Sequence, residues 1–77
     1  MPHVVLKMMS GRTEAQKKQL SEKLAKVVME TLGSDSGSIS VAIEDVPAGR
    51  WENDVFEPEI KGKKQTLYKK PDYASVD

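Results

Sequence analysis

Residues His3–Met9 read His-Val-Val-Leu-Lys-Met-Met. In an extended segment this sets Val4, Leu6 and Met8 on one face and His3, Val5, Lys7 and Met9 on the other. Both faces are mostly apolar, so this predicts a strand covered on both sides, by a helix of its own subunit and by a neighbouring subunit. Ser10-Gly11-Arg12 makes a turn, and Thr13 with Gln16 three residues on has the spacing of a capping box. Leu20, Leu24, Val27, Val28 and Leu32 then recur at three- and four-residue steps, with Lys17, Lys18, Glu22, Lys23 and Lys26 on other faces. Gly33 is a natural stop, so the pattern predicts an amphipathic helix over Glu14–Leu32 and a Ser/Gly/Asp loop through Gly37.

From Ser38 to Val46 the alternation returns, with Ile39, Val41 and Ile43 set against Ser40, Ala42 and Glu44. Strand, helix and strand make a βαβ unit whose strands should be parallel with a right-handed crossover. Two strands make a poor sheet alone, so a second copy of the chain is expected to complete it. Pro47-Ala48-Gly49 breaks the second strand just before Arg50 and Trp51. Beyond it the periodicity weakens. Pro58–Lys70 is read as a short helix with Ile60, Leu67 and Tyr68 inward, although Gly62 and a lysine-rich face oppose it. The last residues are read as a mobile or partner-docked tail. The fold class is thus α+β: one βαβ unit per subunit with a C-terminal short helix or tail, in a single domain over residues 2–77 once Met1 is removed.

Length and composition sharpen the expectation of self-association. A chain of 77 residues buries a thin core, and with no cysteine and no metal-ligand cluster it lacks the usual staples of a small scaffold. A homo-oligomer is expected, with a dimer the first choice and a hexamer the alternative. The 12 Lys+Arg balance the 12 Asp+Glu, which argues against a nucleic-acid or membrane-surface partner held by bulk charge. No apolar run approaches the roughly 20 residues that span a bilayer, and no signal pattern opens the chain, so a cytoplasmic location is expected.

Candidate chemistry is sparse. Pro2 follows the initiator methionine and would become the amino terminus on its removal. A free α-amino group titrates near about 7.7–8.0, and an apolar wall or a nearby cation lowers that further, into the range a general base needs. The plainer reading is a proline that opens an edge strand. His3, the lone histidine, has no second ligand or nucleophile near it in sequence, so no metal site is assigned to it. The serines lack a nucleophile elbow, and the helix lysines, interspersed with Glu14 and Glu22, read as a solvated face.

The order of these features is itself informative. Pro2 at the head of a two-sided apolar strand, Gly11-Arg12, a capped helix, a second strand and an aromatic after Ala48-Gly49 together resemble the 4-oxalocrotonate tautomerase family. The likeness runs from Pro2 to about Trp51, and the ending Lys69-Lys70-Pro71-Asp72-Tyr73 is similar to the longer-chain dimeric enterobacterial branch, described as acting on phenylpyruvate-like enols. The resemblance implies a cofactor-independent keto-enol tautomerase with a small-molecule keto or enol acid as substrate. It implies Pro2 as the base, Arg12 as the anchor of a substrate carboxylate, and Trp51 as the wall that keeps the amine poorly solvated. It also puts Met9 near the pocket. A guanidinium suits the anchoring role because its planar fork engages both carboxylate oxygens.

One departure bears on specificity. The family's second arginine, on the second strand of the hexameric dicarboxylate enzymes, aligns with Ser40, which supplies no charge. Arg50, beside Trp51, is the remaining candidate for that cation. A second carboxylate would be poorly compensated in a partly desolvated pocket, so a monocarboxylate with an apolar or aromatic end is the expected substrate. Two alternatives stand beside this reading: a non-catalytic oligomeric binding protein on the same fold, and a dehalogenase or decarboxylase of the same superfamily.

Overall fold

The computed structural model describes residues 1–77, which divide into two units, Met1–Asp45 and Val46–Asp77. Strand β1 spans His3–Met9, helix α1 spans Glu14–Leu32 and strand β2 spans Ser40–Val46. The strands lie side by side and parallel, joined through α1, as the alternation and the crossover length require. Their register is fixed at the start of the sheet, where the Ser40 amide donates to the Pro2 carbonyl at 3.2 Å.

Helix α1 begins and ends where its sequence says it should. The Thr13 hydroxyl accepts from the Gln16 amide at 3.1 Å, and the Gln16 side chain accepts from the Thr13 amide at 2.9 Å. This reciprocal cap satisfies two otherwise orphaned donors, and such a cap residue is worth about 0.5–2 kcal/mol. At the other end Gly33 turns left-handed (φ 68°), and its amide closes on the Met29 carbonyl at 2.9 Å. Strand β2 starts at Ser40, later than the Ser38 expected from alternation alone, because Ser36–Ser38 forms a single 3₁₀ turn. There the Ser38 amide and hydroxyl both donate to the Asp35 carbonyl, at 2.9 and 2.7 Å, a local competition with the ladder that serines commonly make.

Along α1 the half-buried positions are Lys17, Leu20, Ser21, Leu24, Ala25 and Val28, one stripe at helical spacing. Half-buried Val4, Leu6 and Met8 of β1 and Val41 and Ile43 of β2 carry the matching apolar side chains. Lys17 ties the helix to the sheet by pairing with Asp45. Yet no side chain of Met1–Asp45 is fully buried, and Val5, Met9, Val27, Met29 and Leu32 are exposed.

The second unit departs further from the sequence reading. After a 3₁₀ turn at Ala48–Arg50, a helix runs over Glu52–Lys61, six residues earlier than the Pro58 start expected, and only a 3₁₀ turn at Lys64–Thr66 follows it. The helix is π-wound, closing with a Gly62 amide to Glu57 carbonyl bond at 2.8 Å. Its apolar residues Trp51, Val55, Phe56 and Ile60 recur at four- and five-residue steps, a wider period than an α-helix has. Pro58 supplies a local cause, because in an α-helix its ring would strike the carbonyl four residues back, and the wider turn relieves that contact. Tyr68, expected inward, is fully exposed, and the final residues, expected as a tail, carry Val76 into burial at 3% exposure. Val46, Val55, Phe56 and Val76 are the buried side chains, all in this unit. No helix is long and apolar enough to cross a membrane.

Candidate active site

Pro2 sits half-buried at the head of β1, with Met1 projecting wholly into solvent. The Ser40 amide holds the Pro2 carbonyl, which leaves the proline ring and nitrogen at the open end of the sheet. The next residue, His3, turns its ring toward β2, and its Nδ1 lies 2.6 Å from the Ser40 hydroxyl. Pro2, His3 and Ser40 therefore form one cluster, tied by a backbone bond and a side-chain bond between residues 37 apart in sequence. Nothing local marks this pairing. Its only sequence signal is that the first residue of each parallel strand is polar and can share one face.

Arg12 is positioned by the turn after β1. Gly11 has φ 130°, a conformation that favours glycine, and there is open space where a side chain would stand. The guanidinium is exposed and makes one long contact, Nη1 to the Met9 carbonyl at 3.5 Å, at the edge of hydrogen-bond distance. Met9 itself is exposed at the end of β1. An arginine held so loosely keeps most of its donor fork available for an anion.

In the second unit Arg50 is committed. Its Nε and Nη2 donate to the two carboxylate oxygens of Asp54 at 2.8 and 3.1 Å, a bidentate pair one helical turn apart. The hydrogen bonds to Asp54 push the Arg50 pKa up from its ordinary value, and the Asp54 charge adds to the same effect. Trp51 is half-buried, and its indole Nε1 donates to the Tyr73 hydroxyl at 3.1 Å. The Tyr73 ring is tilted by 52° against buried Phe56, at a centroid distance of 5.8 Å. In the sequence Tyr73 stands out only as part of the ending Lys69-Lys70-Pro71-Asp72-Tyr73, and its tie to Trp51, 22 residues away, has no local mark. The Pro71-Asp72 pair before it, a turn signal that brings the chain back, is the hint that was available.

A further charged contact is structural. Lys17 pairs with Asp45 and with Glu14, and the hydrogen bond to Asp45, then that to Glu14, raises its pKa above the ordinary lysine value. No three His, Cys, Asp or Glu side chains converge in a way that would hold a metal ion.

A family model described as tautomerase enzyme matches residues 2–64. The chain is 40% identical over 76 residues to a probable tautomerase of Xylella fastidiosa, covering 99% of this chain and 93% of that one. It is 39% identical over 75 residues to the tautomerase PptA of Pectobacterium carotovorum, covering 96% and 99% of the two chains. Among solved structures, the 4-oxalocrotonate tautomerase isozymes of Methylibium petroleiphilum superpose with a TM-score of 0.63 at 36% identity, covering 65% of this chain and 81% of that one.

Proposed function

Since the chain belongs to the 4-oxalocrotonate tautomerase family and is an isomerase of the tautomerase class, we propose that it interconverts the keto and enol forms of a 2-keto monocarboxylic acid with an apolar or aromatic end, phenylpyruvate being the type. Pro2, freed by removal of Met1, acts as the general base. In the ketonising direction its amine takes the enol proton and returns it to the adjacent carbon, so protons balance and no cofactor is consumed. Arg12 pairs with the substrate carboxylate and Trp51 gives the apolar wall.

The observation that carries this reading is the surroundings of Pro2. The proline lies at the open end of β1 with an uncharged Ser40 beside it, and Arg50, the other candidate cation, already has its charge balanced by Asp54. Arg12 stands past the far end of β1 from Pro2, a strand length of about 23 Å, so the cation for one carboxylate comes from the Arg12 of a second copy, and a second carboxylate would find none. Met1, wholly in solvent, is accessible to an aminopeptidase. Chains prepared with and without Met1 test the base directly, because Met1 turns the proline nitrogen into an amide. The Pro2-starting form should ketonise phenylpyruvate enol faster by about 10²–10⁴-fold, the usual worth of a general base. Equal ultraviolet progress curves from the two forms would exclude Pro2 as the base. Faster turnover of 2-hydroxymuconate than of phenylpyruvate would exclude the monocarboxylate preference.

The active assembly is a homodimer. Exposed Val27, Met29 and Leu32 on α1 and Val5 and Met9 on β1 support this, since each, at 38–65% exposure, would gain a part of the about 1.5–3 kcal/mol that full burial of an exposed side chain is worth. A folded monomer at micromolar concentration in light scattering would rule it out.

A further inference from the structure

We propose that His3 is a catalytic residue: with Nδ1 accepting from the Ser40 hydroxyl, its Nε2–H donates a hydrogen bond to the substrate oxygen that gains charge during tautomerisation. The inference rests on Pro2 being the base. Once the base has taken its proton, charge gathers on the enol oxygen, and the largest single gain available to such an enzyme is a fixed donor aimed at that oxygen. Arg12 is engaged by the carboxylate, Ser40 is uncharged, and Arg50 is bound bidentately by Asp54. His3 immediately follows Pro2, so its backbone lies within about 4 Å of the proline's. On the face it shares with Val5 and Met9, where the second copy that brings Arg12 also lies, its ring is held by a 2.6 Å contact across the sheet.

The 2.6 Å contact is compatible with either direction, and in the proposed arrangement the Ser40 hydroxyl donates. A hydroxyl that donates to Nδ1 leaves the neutral ring protonated at Nε2, so the free edge is a donor. The reverse arrangement, Nδ1–H donating to the hydroxyl, would leave Nε2 an acceptor and useless to an oxyanion. In this arrangement the Ser40 hydroxyl is a positioning group, and the serine that withholds a second cation holds the histidine in its Nε2–H tautomer. No proton leaves His3 in the cycle. The proton moves between the enol oxygen, the Pro2 nitrogen and carbon, and the histidine contributes a hydrogen bond that is stronger to the enolate than to either neutral form.

The test combines nitrogen NMR of the histidine-labelled protein with kinetics on phenylpyruvate. The unmodified protein should show the Nε2–H tautomer. Ser40→Ala should lose that preference and Ser40→Thr, which keeps the hydroxyl, should restore it. His3→Leu should lower kcat by about 10²-fold with KM nearly unchanged, because the bond matters most in the transition state. His3→Gln, which keeps an N–H of similar reach, should recover part of that loss. An Nδ1–H tautomer in the unmodified protein, an unchanged kcat in His3→Leu, a loss confined to KM, or equal losses in the Leu and Gln variants would each overturn the proposal. If His3→Leu fails to fold, the tautomer of the unmodified protein and the Gln variant still decide. Comparison of the Met1-retaining and Pro2-starting forms keeps the two ideas apart, since failure of the base assignment appears there while the histidine tautomer is read independently.

Discussion

The residues proposed to do chemistry and the residues that are buried are different sets, and all of the former except Trp51 fall in the other unit. Met1–Asp45 holds Pro2, His3, Arg12 and Ser40 but contains no fully buried side chain, whereas Val46–Asp77 holds Val46, Val55, Phe56 and Val76, all buried. The first unit is well specified by local signals, with caps at both ends of α1 and a fixed strand register. It nevertheless leaves large apolar side chains in water. The second has poor local signals, including a proline within a helix, yet closes its own aromatic cluster around Phe56 and Tyr73. Clear patterning and burial are separate properties: patterning needs only periodicity, but burial needs something to pack against.

This contrast has measurable consequences. Phe56→Ala should cost about 3–5 kcal/mol in urea unfolding, as for other buried aromatics, while Val27→Ala, at 59% exposure, should change stability by no more than about 0.5 kcal/mol in dissociated protein. A Val27→Ala cost that appears only at high protein concentration would mean that the first unit obtains its core from a second copy. Arg12→Ala should raise KM by about 10- to 150-fold, the equivalent of the roughly 1.5–3 kcal/mol of a charge-assisted bond, and leave the melting curve in place. A loss of stability instead would make Arg12 a structural residue. Tyr73→Phe keeps the ring against Phe56 and removes only the bond from Trp51, so it should cost about 0.5–1.5 kcal/mol and shift the tryptophan fluorescence. The smallest effect is that of Lys17. Because its folded pKa lies above 10.5, the stability it contributes is complete below that value and is lost as pH rises through the folded pKa. Urea midpoints of Lys17→Met and the unmodified protein should therefore draw together only at strongly alkaline pH.

Much of the first unit was legible because its determinants lie within a few residues of one another. Thr13 and Gln16 are one helical turn apart, and Gly33 follows directly on the last apolar position of α1. Strand alternation at Val4, Leu6 and Met8 needs no knowledge of a partner. The second unit resisted for the opposite reason. A template of 3.6 residues per turn does not fit Trp51, Val55, Phe56 and Ile60, so the sequence pattern points instead to a helix over Pro58–Lys70. Tyr73 acquires a role only once the chain has returned to Trp51. The same applies to His3: no second ligand stands near it in sequence, and Ser40, its partner across the sheet, is distinctive along the chain only for the charge it lacks. Arg50 is a middle case. Asp54 stands four residues on, and recognising a helix there would have revealed the pairing in advance.

The turn between β1 and Arg12 also bears on handedness. At Gly11 the backbone angle is one that an L-residue rarely adopts, though the space for a side chain is open; at Gly62 the angle is an ordinary −67°, but an added Cβ would stand 2.7 Å from the Pro58 carbonyl oxygen. Both positions exclude alanine, for reasons that chemistry can separate by mirror image. A D-alanine introduced at position 11 by chemical synthesis meets a φ of +130° that is natural for its own chirality. Its methyl group enters empty space, and the tether that aims Arg12 is stiffened because the unfolded chain has lost glycine's freedom. At this one peptide unit the enantiomer of a protein building block is the better fit.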